Sequence, residues 1–371
     1  MLLGACGARP PAAPSADPDR FAIIASERGP SGPRLVAIDE QGDRRFALLA
    51  PSASSARESH PALSPDGTWL VFASSRGRPF AETSLWIARV GVEATPVRLT
   101  EGAWIDAHPA WTRDGTAIVF ASTRDGGDFD LWRLPIANGR AAGPAVQLTH
   151  GAGHEVTPSV AADGAVLYAA VAQVASPSSA GGRSDADASR RSIAERELES
   201  HLEERAPDGT ITRLTDGPAD GAPSLSPDET TVAFSRAVVQ VGGPSAELWR
   251  MSRRGGEATP IIALPTTEES GPVWSRDGRF VFATSVLRGE RSVLFSSVIY
   301  VDLRAPMPIA RMLRDRAGAA ARLTPAIAAA ALDTTALDAA PEYLPELARI
   351  VAEAIEQRED RLPDAPGRKL E

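Results

Sequence analysis

Residues 60–77 read HPALSPDGTWLVFASSRG, and the chain writes this stretch again, edited, four more times. HPAWTRDGTAIVFASTRDG begins at His108, TPSVAADGAVLYAAV at Thr157, APSLSPDETTVAFSRAV at Ala222 and GPVWSRDGRFVFATSV at Gly271. The acid of the turn falls at Asp66, Asp114, Asp163, Asp228 and Asp277, at intervals of 48, 49, 65 and 49 residues. The long interval carries an insertion of about 16 residues, and the others agree. A period of this kind marks one supersecondary unit copied along the chain.

Within a unit, a short apolar strand ending at Leu63 meets Ser64-Pro65-Asp66-Gly67. There Pro presets φ, and Asp-Gly supplies the turn of a tight β-hairpin. Residues 69–74 (WLVFAS) form an apolar, β-prone run bounded by turn residues, the spelling of a strand buried on both faces. Residues 84–89 and 95–100 read as two more short strands. A four-stranded sheet of this kind cannot bury both its faces alone, so neighbouring units must stack, and a period just above 40 points to a β-propeller. The span from Arg20 to about Ala317 holds roughly six units. The expected fold is therefore all-β: a six-bladed β-propeller of four-stranded antiparallel blades, with a short C-terminal helical tail. The first unit (residues 21–26, 34–39 and 45–49) lacks a first strand of its own. A strand lent from the far terminus would close the ring and leave no open edge. The segment after Arg314 is placed to lend it, although its Ala-rich spelling is poor for a strand.

Three segments follow: a leader and tether over 1–18, the propeller over 19–316, and an Ala-rich helical tail over 317–371. Inside the propeller a polar, Gly/Ser-rich loop insertion occupies about 173–196. In the tail, Leu347, Ile350, Val351, Ala354 and Ile355 form a helical stripe after Pro345, either packed on the propeller edge or docking a partner. With 39 basic against 48 acidic residues, the chain has no charge excess suited to nucleic acid. No window approaches the ~20 apolar residues of a membrane-spanning helix. Trp86, Trp132 and Trp249 on third strands, and Trp111 and Trp274 on first strands, read as fillers between blades.

Three residues before the first-strand proline of each full unit stands a carboxylate. These are Glu58, Asp106, Glu155, Asp220 and Glu269, ahead of Pro61, Pro109, Pro158, Pro223 and Pro272. About one residue in eight is acidic, so five in five at a fixed offset is not chance. The innermost strand of a blade starts at one mouth of the central channel, which predicts a ring of acids there. His60 and His108 add imidazoles in adjacent units. Such a ring would meet a basic segment of a partner, or hold a divalent cation. Alternatively each acid bonds locally, to backbone N–H groups at the strand entry or to Arg76, Arg124, Arg236 and Arg288. His150 and His154 flank a Gly-Ala-Gly turn rather than a helix face, a weak arrangement for zinc. The sequence contains no Gly-x-Ser-x-Gly elbow, His-Glu-x-x-His, Walker loop or dinucleotide fingerprint, so it names no nucleophile or base.

SPDGTWLVFASSRG, TRDGTAIVFASTRDGGDFDLWRL with its later QLT, and HLEERAPDGTITRLT resemble the WD40-like repeats of the TolB-type six-bladed propeller family, over residues 20 to about 314. The resemblance implies the fold. It implies no single activity, because such repeats occur in periplasmic scaffolds, peptidase propeller domains and some lyases. Leu3-Gly4-Ala5-Cys6 resembles a bacterial lipobox, whose thiol is acylated, and residues 7–18 form a Pro/Ala/Ser-rich tether. Only five residues precede Cys6, none of them basic, so either the natural start lies upstream or Cys6 sits in a plain leader. As the single cysteine it forms no intramolecular disulfide. The lipobox resemblance implies lipidation at Cys6 and a place in the periplasm or cell envelope, with the outer membrane favoured by Gly7. The functional expectation is a monomeric, non-enzymatic, envelope-associated propeller that needs no cofactor and touches the membrane only through a lipid on Cys6. It would bind a protein or peptide partner at the channel mouth through Glu58, His60, Asp106, His108, Glu155, Asp220 and Glu269. The alternative is a metal-dependent hydrolase or carbohydrate-active propeller enzyme at the same mouth, using Glu58, Asp106 and His108.

Overall fold

The middle run of each unit is the second strand of a sheet, and its aromatic residue lies at the centre of the core. Phe72, Phe120 and Phe234 are 0% exposed and Tyr168 is 1% exposed, at equivalent places in four sheets; in the fifth, Ala283 holds that place and Phe282, also 0% exposed, stands one residue before it. The structure, a computed structural model, describes residues 21–29, 32–39, 45–49, 56–79, 82–90, 95–172, 200–217, 219–240, 243–264, 267–288, 293–304, 310–312 and 330–333. Cys6 and the tether, most of the loop insertion and the stripe at 345–360 lie outside the described residues.

Five sheets are built from strands consecutive in sequence, paired antiparallel. Glu58–Leu63, Trp69–Ser74, Ser84–Arg89 and Val97–Arg98 form sheet 2. Asp106–Trp111, Ala117–Ser122, Asp130–Ala137 and Val146–Gln147 form sheet 3, with Arg140–Ala141 folded back on it. Sheet 4 holds His154–Val160, Val166–Val171, Ser200–Arg205 and Ile211–Arg213. Sheet 5 holds Asp220–Leu225, Thr231–Gln240, Gly243–Ser252 and Thr259–Ile262, and sheet 6 holds Glu268–Trp274, Phe280–Arg288, Val293–Asp302 and Ala310–Met312. Sheet 1 joins Phe21–Gly29, Gly32–Asp39 and Arg45–Ala47 to Ala330–Asp333.

The last of these strands corrects the expectation of six like blades. Five blades are complete and antiparallel, whereas Ala330–Asp333 runs parallel to Phe21–Gly29, with Ile23 beside Ala330 and Ser26 beside Asp333. The closing strand does come from beyond Arg314. It touches both Glu58–Leu63 and Glu268–Trp274, so it fills the inner position that sheet 1 lacks. Covering an otherwise open edge outweighs the low strand propensity of its alanines. No helix occurs among the described residues, and none there could cross a membrane.

The middle of each face between sheets is apolar. Val71, Leu85 and Ile87 of sheet 2 pack with Trp111, Ile118 and Phe120 of sheet 3. The indole N–H of Trp111 donates to Ala62 O at 3.1 Å, and that of Trp274 to Ser224 O at 2.9 Å, each in the preceding sheet. The first-strand tryptophans are therefore fillers that also tie one blade to the next.

Two further repeated spellings are hydrogen-bonding devices. In the turn, Gly67 N–H donates to Ser64 O and Ser64 N–H to Trp69 O, both at 2.8 Å. Gly67 has φ +75°, so the loop is a type I turn closed by a left-handed residue. Asp66 accepts the Ser64 hydroxyl and Thr68 N–H, while Ser64 Oγ accepts Trp69 N–H. The hydroxyl bond to the turn acid recurs at Thr112–Asp114, Ser226–Asp228 and Ser275–Asp277. In Asp66, Asp114 and Asp228 the hydroxyl bond, then the backbone N–H bond, holds the carboxyl below its usual range. At the other device, the Thr of each Leu-Thr ending stitches the fourth strand to the start of the third. Thr100, Thr149 and Thr215 Oγ1 accept the N–H of Leu85, Leu131 and Leu202 at 2.8, 2.8 and 3.0 Å.

Candidate functional site

The inner strands of sheets 2 to 6 surround a cavity of about 630 Å³. Its wall is shaped by an irregularity repeated in every inner strand. Proline has no N–H to give the ladder, so the strand bulges at Pro61, Pro109, Pro158, Pro223 and Pro272. The pairing register shifts at each of these places. The residue before each proline is left-handed: φ is 49° at His60, 49° at His108, 52° at Thr157, 49° at Ala222 and 62° at Gly271. For a residue with a Cβ this costs on the order of 1 kcal/mol, which the surrounding sheet must hold in place. The strands from these positions to the turn form the cavity wall.

None of the five strand-entry acids belongs to that wall. Glu58 and Glu155 are 7% exposed, and Asp106, Asp220 and Glu269 are 0% exposed. The cause is their position at the seam between sheets. Asp106 N–H donates to Thr83 O at 3.0 Å and Glu155 N–H to Phe129 O at 2.7 Å, each in the preceding sheet. Thr83 Oγ donates to Asp106 O and Ser200 Oγ to Asp220 O. The expected open ring of acids at the channel mouth is therefore corrected to five carboxyls buried between blades.

Three of them follow the local alternative. Arg76 pairs with Glu58, its Nε at 2.8 Å. Arg124 Nη2 reaches Asp106 at 2.8 Å, beside Ser122 Oγ at 2.6 Å. Arg236 grips Asp220 with both Nε and Nη2, at 2.7 and 2.9 Å. Each of the latter two guanidinium groups also lies over a third-strand indole, Arg124 over Trp132 at 4.9 Å and Arg236 over Trp249 at 4.8 Å. The side chain of Arg288 lies outside the described residues. Glu155 and Glu269 make no ion pair with arginine among the described residues. Burial pushes Glu155 up to about 8 and Glu269 up to about 7. Where no arginine among the described residues faces the acid position, burial thus favours the protonated carboxyl.

The two imidazoles do meet. The rings of His60 and His108 lie 4.0 Å apart, centroid to centroid, and both line the cavity. Burial, followed by the charge of Arg57, lowers His60 to about 3, so this ring is neutral. His154 Nδ1 accepts Phe129 N–H at 3.1 Å, while His150 is exposed, so these two form no metal pair. Among the described residues no group of three or more His, Cys, Asp or Glu is placed to hold a metal ion.

The charged groups that line the cavity are ones the repeat reading passed over: Arg113 and Arg276. Both occupy the second turn position, where Pro65 and Pro227 stand in sheets 2 and 5. Arg113 reaches past sheet 4 to sheet 5, with Nη2 3.3 Å from Ser226 O and Nε 3.3 Å from Glu229 Oε1. Glu229, at φ +60°, replaces the turn glycine and also accepts Ala162 N–H of sheet 4 at 2.7 Å. Arg276 Nη2 lies 3.0 Å from where a Cβ on Gly67 would sit, so it reaches from sheet 6 to the turn of sheet 2. The signal in the sequence is the departure from Ser-Pro-Asp-Gly to Thr-Arg-Asp-Gly, Ser-Arg-Asp-Gly and Ser-Pro-Asp-Glu.

Residues 50–276, more than half of the chain, match the family model described as the TolB beta propeller domain. The chain belongs to the TolB beta propeller family. No curated protein matches its sequence. Among solved structures, this TolB-type propeller is similar to a putative TolB from Agrobacterium tumefaciens, with 17% identity over 73% of this chain and 82% of that one, at a TM-score of 0.52. It is similar also to hydrazine synthase of Kuenenia stuttgartiensis, with 13% identity over 77% of this chain and 42% of that one, at a TM-score of 0.55. A puromycin-hydrolyzing peptidase of Mycobacterium tuberculosis shares 14% identity over 80% of this chain and 44% of that one, at a TM-score of 0.50. At these identities the likeness is one of fold.

Proposed function

We propose that this TolB-type propeller is a non-enzymatic scaffold of the periplasm or cell envelope that holds an extended segment of a protein partner in its central channel. The mixed sheet serves as the sixth blade of the ring, and a lipid on Cys6 serves as the tether. The observation that carries the reading is the cavity of about 630 Å³, whose wall is five proline-pinned, bulged strands. A wall fixed in this way loses little conformational entropy when a partner enters, and that favours binding by a preformed site. Family membership supports the envelope location. The enzymatic alternative needs Glu58 and Asp106 at the cavity wall, and both are engaged by Arg76 and Arg124 at the blade seam instead.

Site-specific photo-crosslinking in the native envelope tests this reading. A crosslinking residue at Ala222, in the cavity wall, should capture a partner. One at Val146, exposed on an outer strand, should not. Capture from Val146 with none from Ala222 would move the binding surface to the rim of the propeller and end the channel reading.

A further inference from the structure

We propose that the turn end of the channel is a carboxylate-binding subsite, formed by Arg113 and Arg276, and that the segment the channel holds is an acidic peptide. This rests on the channel-binding reading above and adds the chemistry of its occupant. The two arginines come from sheets 3 and 6, three places apart in the order of sheets, and both reach toward turns of other sheets at the same level. They are the only formally charged residues in the cavity lining among the described residues, which includes no carboxylate. Arg276 is exposed and makes no ion pair among the described residues. Arg113 is half satisfied by one carboxylate and one carbonyl oxygen, both at 3.3 Å, long enough to yield to a better acceptor. The protein as a whole carries a net charge of −9 and the turns keep their own acids, so within the wall itself the two arginines are where a carboxylate would be held.

The rest of the wall favours a peptide over an acidic glycan. Ala62, Leu63, Val160, Leu225 and Val273, with the five prolines, give apolar surface for side chains. Of the hydroxyls in the wall, those of Ser64 and Ser275 are given to their turn acids and Ser159 Oγ accepts Leu225 N–H, which leaves only Thr157 and Ser224 among the described residues for a string of sugar hydroxyls. The indole N–H groups of Trp111 and Trp274 are already given to backbone carbonyls. His60, neutral at physiological pH, adds no charge of its own.

The test is selection of immobilised random nonapeptides on the full-length protein, alongside Arg276→Gln and Arg113→Gln, with binding of the selected peptides then measured at 50 and 500 mM salt. Circular dichroism and melting curves check each variant. Arg276→Gln breaks no ion pair among the described residues and should fold as the parent does. The proposal expects Asp and Glu enrichment in the selected peptides, affinity at least tenfold weaker in Arg276→Gln, and affinity at least tenfold weaker at the higher salt. Peptides that bind the channel without acidic enrichment, or whose affinity is unmoved in both variants, would overturn this inference and leave the channel reading standing. If no peptide of any charge is retained, the channel reading falls with it. Binding of an oligogalacturonate but of no acidic peptide would also overturn it, and would identify the occupant as a glycan.

Discussion

Replacing both Glu155 and Glu269 by Gln should stabilise the protein at pH 8 and leave its stability at pH 5 nearly unchanged. Both carboxyls are buried at blade seams without an arginine facing them among the described residues. Burial raises them from an ordinary value of 4.5 to about 8 and about 7. Below pH 4.5 the folded and unfolded states both hold these protons. As the pH rises from there toward the folded values, the unfolded chain releases its protons first. Each group then withdraws up to ~1.4 kcal/mol of stability per pH unit. Without screening, the two shifts together would amount to about 8 kcal/mol; residual hydration and local relaxation cut such figures several-fold, to roughly 2–3 kcal/mol at pH 8. Glutamine keeps the shape of the protonated acid and does not titrate. Urea denaturation of parent and double variant at pH 5 and pH 8 should show the gap opening in favour of the variant, and its melting temperature at pH 8 should rise by roughly 4–8 °C. If the variant is no more stable than the parent at pH 8, the two carboxyls are ionised in the folded protein and the reasoning fails.

At the paired seams the same kind of substitution should act with the opposite sign. Asp220→Asn, which leaves Arg236 without its counter-charge, should cost about 3–5 kcal/mol in denaturant melts at pH 7. Thr100→Val should strip Leu85 N–H of its acceptor and cost about 1–3 kcal/mol, with faster hydrogen exchange at the start of that strand. Glu229→Ala keeps the left-handed strain and loses the links to Arg113 and Ala162, so it should cost about 1–2 kcal/mol. Glu229→Gly should recover on the order of 1 kcal/mol of that loss, and equal stability of the two variants would mean that the turn stores no strain.

The fold was legible because its information is local and repeated. Ser-x-Asp-Gly fixes a turn, an apolar run fixes the buried strand after it, and Leu-Thr fixes where the fourth strand ends. The closing strand was legible only in position. Its pairing partner, Phe21–Gly29, is some 300 residues away, and nothing in the spelling of Ala330–Asp333 sets its direction. The acid position was found by its spacing, but its environment was misjudged, since a residue at the start of an inner strand can face the channel or the neighbouring blade. Thr83 and Ser200, whose hydroxyls pull the acid's own backbone onto the preceding sheet, decide between these, and they lie about 20 residues upstream. Arg113, Arg276 and Glu229 were hidden for the reverse reason. A repeat draws attention to what is kept, and the two arginines that line the channel, like the glutamate that holds one of them, stand where the repeat breaks.

The left-handed residue before each inner-strand proline bears on how such a channel can change. At these five places the backbone bend is common to sheets 2 to 6, while the residues are His, His, Thr, Ala and Gly. The frame therefore does not depend on any one side chain there, and each position can be exchanged while the bulge, the proline and the sheet behind it stay as they are. A propeller built in this way separates the part that folds from the part that selects. Its binding preference can drift one blade at a time, through residues whose replacement the core does not register.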